Sequence, residues 1–255
     1  MRLALPDVTL CAVASVNVEA TIFALRRAMA LADFRESLLF SDARLDLTDV
    51  GIRLVPIERI GSSAAYSSFV LTRLADYVAS GHCLLVQWDG FPTHSANWDP
   101  AFLDCDYIGA PWPQFADGYD VGNGGFSLRS RRLMHACREP GFARSHPEDV
   151  AIGRINRPFL EARGLRFADS ALAARFSRER SGADGSTFGF HGAFNMIDAI
   201  GTDLFWTLYE GLDDRTTVWR DAKLIARQLR LGDRGLMRSF QLRTDAFVKS
   251  VGTPR

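Results

Sequence analysis

Four short stretches hold residue types that do chemistry. "LLVQWDGF" (84–91) runs as a buried strand into a turn and leaves Asp89 at its end. Such an aspartate either caps the next turn or offers a hard oxygen ligand to a divalent cation that bridges a diphosphate. "VGNGGFSLRS" (121–130) places three glycines around Asn123. These glycines permit positive φ and close backbone approach, or they mark a bulged hairpin. "FSLRS" alternates like a strand, so this is not the glycine-rich turn that opens a helix in dinucleotide-binding proteins. "HPEDV" (146–150) sets Glu148 and Asp149 behind Pro147. They read as acids of a first helical turn, favoured by the helix dipole, or as a general base facing a sugar-sized cleft. "FGFHG" (188–192) holds His191, which is either packed among aromatics or aimed by its glycines into a cleft, where a neutral imidazole ligates metal.

The elements that must position these residues alternate in the first half of the chain. "VTLCAVASV" (8–16) is a Val-rich run of strand length, and Asn17 is a candidate N-cap for a helix through Ile22, Leu25, Met29 and Ala32. "SLLF" (37–40) and "IRLVPI" (52–57) read as further strands. Val70, Leu74, Tyr77 and Val78 mark a helix closed by Gly81, and "CLLVQW" follows as the fourth strand. This alternation predicts an α/β fold with a mixed, mostly parallel sheet flanked by helices. Ligands of such sheets gather beyond the carboxyl ends of the strands, where Asp42 and Asp89 both sit. Residues 90–147 are rich in Pro, Gly and aromatics, with strand candidates at 107–110 and 124–130, and read as a binding surface. A helix starts at Glu148 and breaks at Pro158, with a fresh turn ending near Gly164. "LRFA" (165–168) is a short strand. Helices follow the 186–194 loop, so the expected organisation is one α/β domain over residues 1–200 and a helical C-terminal extension over 201–255.

The 255 residues are 47% apolar and 24% charged, enough for a substantial core, and the formal net charge is zero. That balance argues against a nucleic-acid partner. The charge is uneven, however: residues 220–255 hold nine basic and three acidic side chains. Leu224, Ile225, Leu229 and Leu236 lie there among Arg227, Arg230, Arg234 and Arg238, a pattern that suits a packed surface helix or peripheral membrane contact. Cys11, Cys83, Cys105 and Cys137 form no CxxC pair and read as reduced core residues of a cytoplasmic protein. The opening "MRLALPDVTL" is too short and too polar for a signal peptide, and no apolar run is long enough for a membrane span.

Taken in order, "LLVQWDGF", "FLDCDYIGAPWP", "VGNGGFSLRSRRL", "PEDVAIG", "FADSALAARFS" and "FGFHG" resemble a widespread bacterial family known as a domain of unknown function. That family is itself similar to glycosyltransferases of the GT-A fold. The likeness runs from about residue 8 to about residue 200. In pattern alone, the order of these features is similar to the β-1,3-galactosyltransferase and fringe group. The resemblance implies a GT-A-like (Rossmann-like) fold and an inverting transfer of a hexose from a nucleotide-sugar to an acceptor hydroxyl. The Asp-x-Asp motif that holds a divalent metal against the diphosphate falls on Gln87-Trp88-Asp89, with Gln87 replacing its first acid. The implied metal ligands, for Mn²⁺ or Mg²⁺, are Asp89 and His191. Asp149 is the implied catalytic base, with Glu148 beside it. Asp42, Gln87, Trp88, Asp89, Gly124, Gly125 and Phe126 are the expected donor-binding set, and Trp88 and Trp112 are placed to stack on sugars. The implied setting is bacterial surface-glycan synthesis, cytoplasmic or peripheral at the inner membrane, with a glycan or lipid-linked acceptor. A catalytically silent nucleotide-sugar or carbohydrate-binding module of the same fold is the alternative. A nucleotidyltransferase would need a basic, glycine-rich phosphate loop that "VASVNVEAT" lacks, and a dehydrogenase or methyltransferase would need a glycine-rich turn after the first strand.

Overall fold

The computed structural model describes residues 2–180 and 186–252. Strand β1 (Leu3–Val13) is buried on both faces from Val8 onward, as a central parallel strand must be. Helix α1 (Val18–Leu31) packs through Ala20, Ile22, Ala24, Leu25 and Ala28, small and aliphatic residues that let it lie close to the sheet. Asn17 takes a left-handed conformation (φ 55°) and its side chain does not cap this helix. Its carbonyl accepts bonds from the Thr21 amide and hydroxyl instead.

Strand β2 (Ala32–Ser41) begins directly after α1 and is longer than the expected 37–40, because its first half is polar and partly exposed. β3 (Arg53–Pro56), α2 (Ser63–Thr72) and β4 (His82–Val86) follow. Helix α2 starts earlier than its apolar pattern suggested, where the Ser62 hydroxyl accepts from the Ala65 amide. A tight turn then joins β4 to β5 (Gly90–Pro92), after which come β6 (Tyr107–Ile108), β7 (Ser127–Ser130) and α3 (Arg131–Ala136).

The main sheet has the order β3-β2-β1-β4-β7-β6. β3, β2, β1 and β4 are parallel, while β7 runs antiparallel to β4 and β6. This is the expected mixed, mostly parallel α/β architecture. The chain moves outward from β1 through β2 to β3, then returns to the other side of β1 as β4. That reversal opens a crevice beyond the carboxyl ends of β1 and β4, the position where ligands of open α/β sheets bind.

After β7 the chain enters α4 (Glu148–Val150), widens into a π-helical turn over Ala151–Ile155, and restarts as α5 (Arg157–Glu161) with Pro158 in its first turn. Proline is accommodated there because first-turn amides have no intrahelical partner. Residues 165–168 make a single bridge, Tyr107 with Phe167, rather than a strand. α6 (Ser170–Phe176), β8 (Ser177–Arg178) and β9 (Gly189–His191) complete this part, with β5, β9 and β8 forming a small second sheet.

The chain divides into two compact units, residues 1–191 and 192–255. The second contains α7 (Met196–Ile200), α8 (Thr202–Gly211), α9 (Thr216–Arg220), α10 (Ala222–Leu229) and α11 (Gly235–Gly252). All four cysteines are buried and unpaired. Among the described residues, no helix is long and apolar enough to cross a membrane.

Candidate active site

The crevice beyond β4 is built on a two-residue turn. Gln87 and Gly90 exchange backbone hydrogen bonds of 3.0 Å in both directions, leaving Trp88 and Asp89 at the tip. Trp88 is half-buried, whereas Asp89 is buried, 4% exposed. β5 then pairs antiparallel with β9, which sets Gly90 opposite His191. That register brings the imidazole Nε2 to 3.8 Å from Asp89 Oδ1 and 3.3 Å from Gln87 Oε1. On the other side of the ring, Nδ1 lies 3.3 Å from Glu179 Oε1.

Both ring nitrogens therefore face oxygen acceptors, an arrangement that favours the doubly protonated imidazolium. Burial lowers the His191 pKa, but Asp89, Glu179 and Asp149 outweigh it and hold the pKa above the ordinary 6.5. Burial raises the Glu179 pKa too, and the bond and charge of His191 more than reverse this, so it ends lowered.

The glycines of "GNGG" make this packing possible. A Cβ on Gly125 would stand 2.0 Å from His191 Nε2, and one on Gly90 would stand 2.7 Å from His191 Cδ2. A Cβ on Gly124 would meet Glu148 Oε1 at 1.9 Å. Asn123, held at φ 66°, closes the turn through its side-chain oxygen, which accepts from the Gly125 amide.

The two acids of "PEDV" part company. Glu148 is 5% exposed and points inward. One of its oxygens accepts from Arg129 Nη2 at 3.1 Å and the other from the Ser67 hydroxyl at 3.0 Å. Asp149 stays partly exposed. Its Oδ2 accepts from the Gly124 amide and its Oδ1 from the Val150 amide. Burial raises the Asp149 pKa, the neighbouring Glu148 charge adds to this, and the two amides pull the other way. Asp149 and His191 thus flank consecutive residues of one turn, with Asp89 beyond the ring.

The sequence-predicted residues are therefore only partly gathered. Asp89, Gln87, Asp149, His191, Gly124 and Gly125 meet around one turn. Glu148, expected beside the base, is committed to a buried ion pair and does not face the crevice. Phe126, expected against a donor sugar, is 0% exposed and stacks on Phe176 with ring centroids 4.9 Å apart. Trp112 is sealed against Gly122 and Gly153 rather than open for stacking. Asp42 stands apart, exposed at the end of β2, where a bond from Ser15 lowers its pKa and Arg59 lies 3.7 Å away. Sequence reasoning missed Glu179 and Arg129. Glu179 sits among ordinary surface charges in "SRER" and gives no signal. Arg129 could have been suspected as a lone charge inside a strand pattern.

The donor set can be tested against a divalent cation. Two ligands each about 2.1 Å from a metal lie at most about 4.2 Å apart, and the 3.8 Å between Asp89 and His191 falls inside that limit. A carboxylate behind a ligating imidazole is the usual supporting partner, and Glu179 occupies that place. Among the described residues, no group of three or more His, Cys, Asp and Glu side chains is arranged to hold a metal ion. The residues fit a cation that brings further ligands with it, such as diphosphate oxygens and water.

The chain belongs to the family described as "Protein of unknown function (DUF5672)", which matches residues 49–191. The match includes Gln87, Asp89, the glycine turn, Asp149, Glu179 and His191, and it is shorter than the span anticipated from the motifs. No curated protein matches the chain. Among solved structures, the mannosyltransferase PcManGT from Pyrobaculum calidifontis, in complex with GDP-Man and Mn²⁺, is 10% identical and covers 100% of this chain and 79% of that one, with a TM-score of 0.43. TarS from S. aureus is 10% identical over 98% of this chain and 44% of that one, with a TM-score of 0.41. A mycobacterial protein is 13% identical over 50% of this chain, with a TM-score of 0.34, and this chain spans only 54% of its length.

Two outcomes follow from the geometry. Glu148→Ala leaves the Arg129 guanidinium, 1% exposed, without its carboxylate. It should cost about 3–5 kcal/mol in urea denaturation, and adding Arg129→Met should restore much of the loss; a cost under about 1 kcal/mol would place the pair among weak surface bridges. For His191, the raised pKa means that folding binds its proton more tightly. The resulting stability is complete below the ordinary value of 6.5 and is lost as pH rises through the folded value. Glu179→Gln should lower the imidazole pKa in an NMR titration, and an unmoved titration would show that Glu179 does not set it.

Proposed function

We propose that the protein is a GT-A-like glycosyltransferase that moves a sugar from a nucleotide-sugar donor to an acceptor hydroxyl with inversion. The observation that carries this reading is the convergence of Asp89, His191 and Asp149 around Gly124-Gly125, at the crevice where the sheet order reverses.

In this reading the donor diphosphate lies beyond the ends of β1 and β4. Asp42 and Trp88 contribute on the donor side, a carboxylate for hydroxyl groups and a half-exposed ring for stacking. Asp89 and His191 would hold a divalent cation, which supplies charge neutralisation for the departing diphosphate. His191 as imidazolium presents positive charge to the same region by itself. Asp149 takes the proton from the acceptor hydroxyl as its oxygen bonds to the anomeric carbon. The bond from that carbon to the diphosphate oxygen breaks on the opposite face, and the electron pair leaves with the nucleoside diphosphate. Partial burial makes Asp149 a stronger base than a solvated carboxylate, and its two amide bonds fix its direction. Glu148 has no part in proton transfer here; it anchors the helix start from which Asp149 projects.

The acceptor is a hydroxyl of a glycan or a lipid-linked sugar, with bacterial surface-glycan synthesis as the setting. A second reading, donor binding without turnover, draws on Gln87, whose amide oxygen stands where a second carboxylate would strengthen cation binding. Release of free nucleoside diphosphate from a panel of nucleotide-sugars separates the two.

Asp149→Asn should lower turnover by about 10²–10⁴-fold while leaving nucleoside diphosphate binding unchanged. Normal turnover in that variant would remove Asp149 as the base. In calorimetry, Mn²⁺ should strengthen nucleoside diphosphate binding to the native chain and have no effect on Asp89→Ala. Equal affinity of the native chain with and without Mn²⁺ would leave the cation without a role.

A further inference from the structure

The helical unit carries a surface that the catalytic reading does not use. Among the described residues ten large apolar side chains are exposed, and seven of them lie between 224 and 248. Five belong to α11: Leu236, Met237, Phe240, Phe247 and Val248, between 54% and 76% exposed. At 3.6 residues per turn they fall within an arc of about 120°. Ser239 and Leu242, on the opposite arc, are buried. The helix therefore packs by one face and turns an apolar stripe to solvent with the other. The sequence pattern ran from Leu224 to Arg238 across both helices, and its α10 part behaves differently: Ile225 and Leu229 are buried, and the outward positions are Lys223, Leu224 and Arg227.

Beside the stripe lies a cavity of about 670 Å³ among α9, α10 and α11. Four basic side chains line it, Arg220, Lys223, Arg227 and Arg243, against one acid, Asp221, with Trp219 and Phe247 on its walls. Phe247 is common to stripe and cavity. An apolar band adjoining a basic, aromatic-walled hollow matches the layering of a lipid surface, with acyl chains below and phosphates above. A second copy of this chain is a poor occupant. Residues 220–255 hold nine basic and three acidic side chains, so two such faces would meet as like charges.

We propose that α11 lies in the interfacial plane of an anionic lipid bilayer, its apolar stripe at the headgroup–acyl boundary and a lipid phosphate in the adjoining basic cavity. This concerns the helical unit alone and does not rest on the reading of the catalytic site.

Flotation of the full chain with phosphatidylglycerol-containing vesicles tests it. Binding is expected at low salt, should weaken as salt rises, and should be absent with pure phosphatidylcholine. Leu236→Ser with Phe240→Ser, both at exposed positions, should keep the native circular dichroism and lose flotation. Arg220→Gln with Lys223→Gln and Arg227→Gln should weaken partitioning by on the order of a hundredfold. The proposal is overturned by no flotation at low salt, by equal flotation on neutral vesicles, or by undiminished flotation of the Leu236/Phe240 variant. A native dimer in light scattering that the Leu236/Phe240 variant dissolves would also overturn it, and would assign the stripe to self-association.

Discussion

The candidate active site depends on one buried ion pair. Arg129 in β7 and Glu148 at the start of α4 lie 3.1 Å apart, at 1% and 7% side-chain exposure. Burying two charges costs several kcal/mol each unless every remaining donor and acceptor is engaged. Here Glu148 also accepts from Ser67 of α2, and Arg129 donates to the Ser127 hydroxyl and the Gly124 carbonyl. The network ties three elements together at the point where α4 begins. It also separates two adjacent carboxylates. With Glu148 drawn inward, the next residue projects outward, and its oxygens meet the amides of Gly124 and Val150. Asp149 owes its direction to its neighbour's burial.

A second constraint is steric. His191 reaches Asp89 and Gln87 only because Gly125 and Gly90 present no Cβ beneath its ring. The glycines, spaced across the chain at 90, 124 and 125, are therefore spatial complements of two side chains rather than open backbone for a ligand. This alters the meaning of the glycine-rich turn. Close approach was the right physical reason, but the approaching groups are the protein's own imidazole and carboxylate.

Much of this was legible in the sequence. The strand–helix alternation placed the parallel strands, and Pro158 marked the helix restart, because both signals are local. The chemistry-bearing motifs also met, although 89, 149 and 191 are far apart along the chain. The failures share a cause. Composition does not reveal which face of a residue is turned inward: Phe126 and Trp112 carry the aromatic character of a sugar platform, yet one stacks on Phe176 and the other fills the space beside Gly122 and Gly153. "ED" offers two carboxylates, and only the buried arginine decides between them. Glu179 was invisible because its importance comes from the pairing of β8 with β9, a contact that no local pattern encodes.

The charges at the crevice impose a final requirement. Asp89, Glu179 and Asp149 all act on one imidazole, and arginines sit near two of these acids, Arg180 near Glu179 and Arg129 near Asp149. Such an arrangement favours proton uptake by His191, and on the proposed reading a divalent cation at Nε2 would have to displace that proton. Proton and metal would then compete for one nitrogen, with Glu179 behind the ring supporting either state. Gln87 sets a neutral amide oxygen 3.3 Å from the same nitrogen and so adds no negative charge there. On the proposed reading, a carboxylate in place of Gln87 would bind the cation more tightly while opposing the anionic donor.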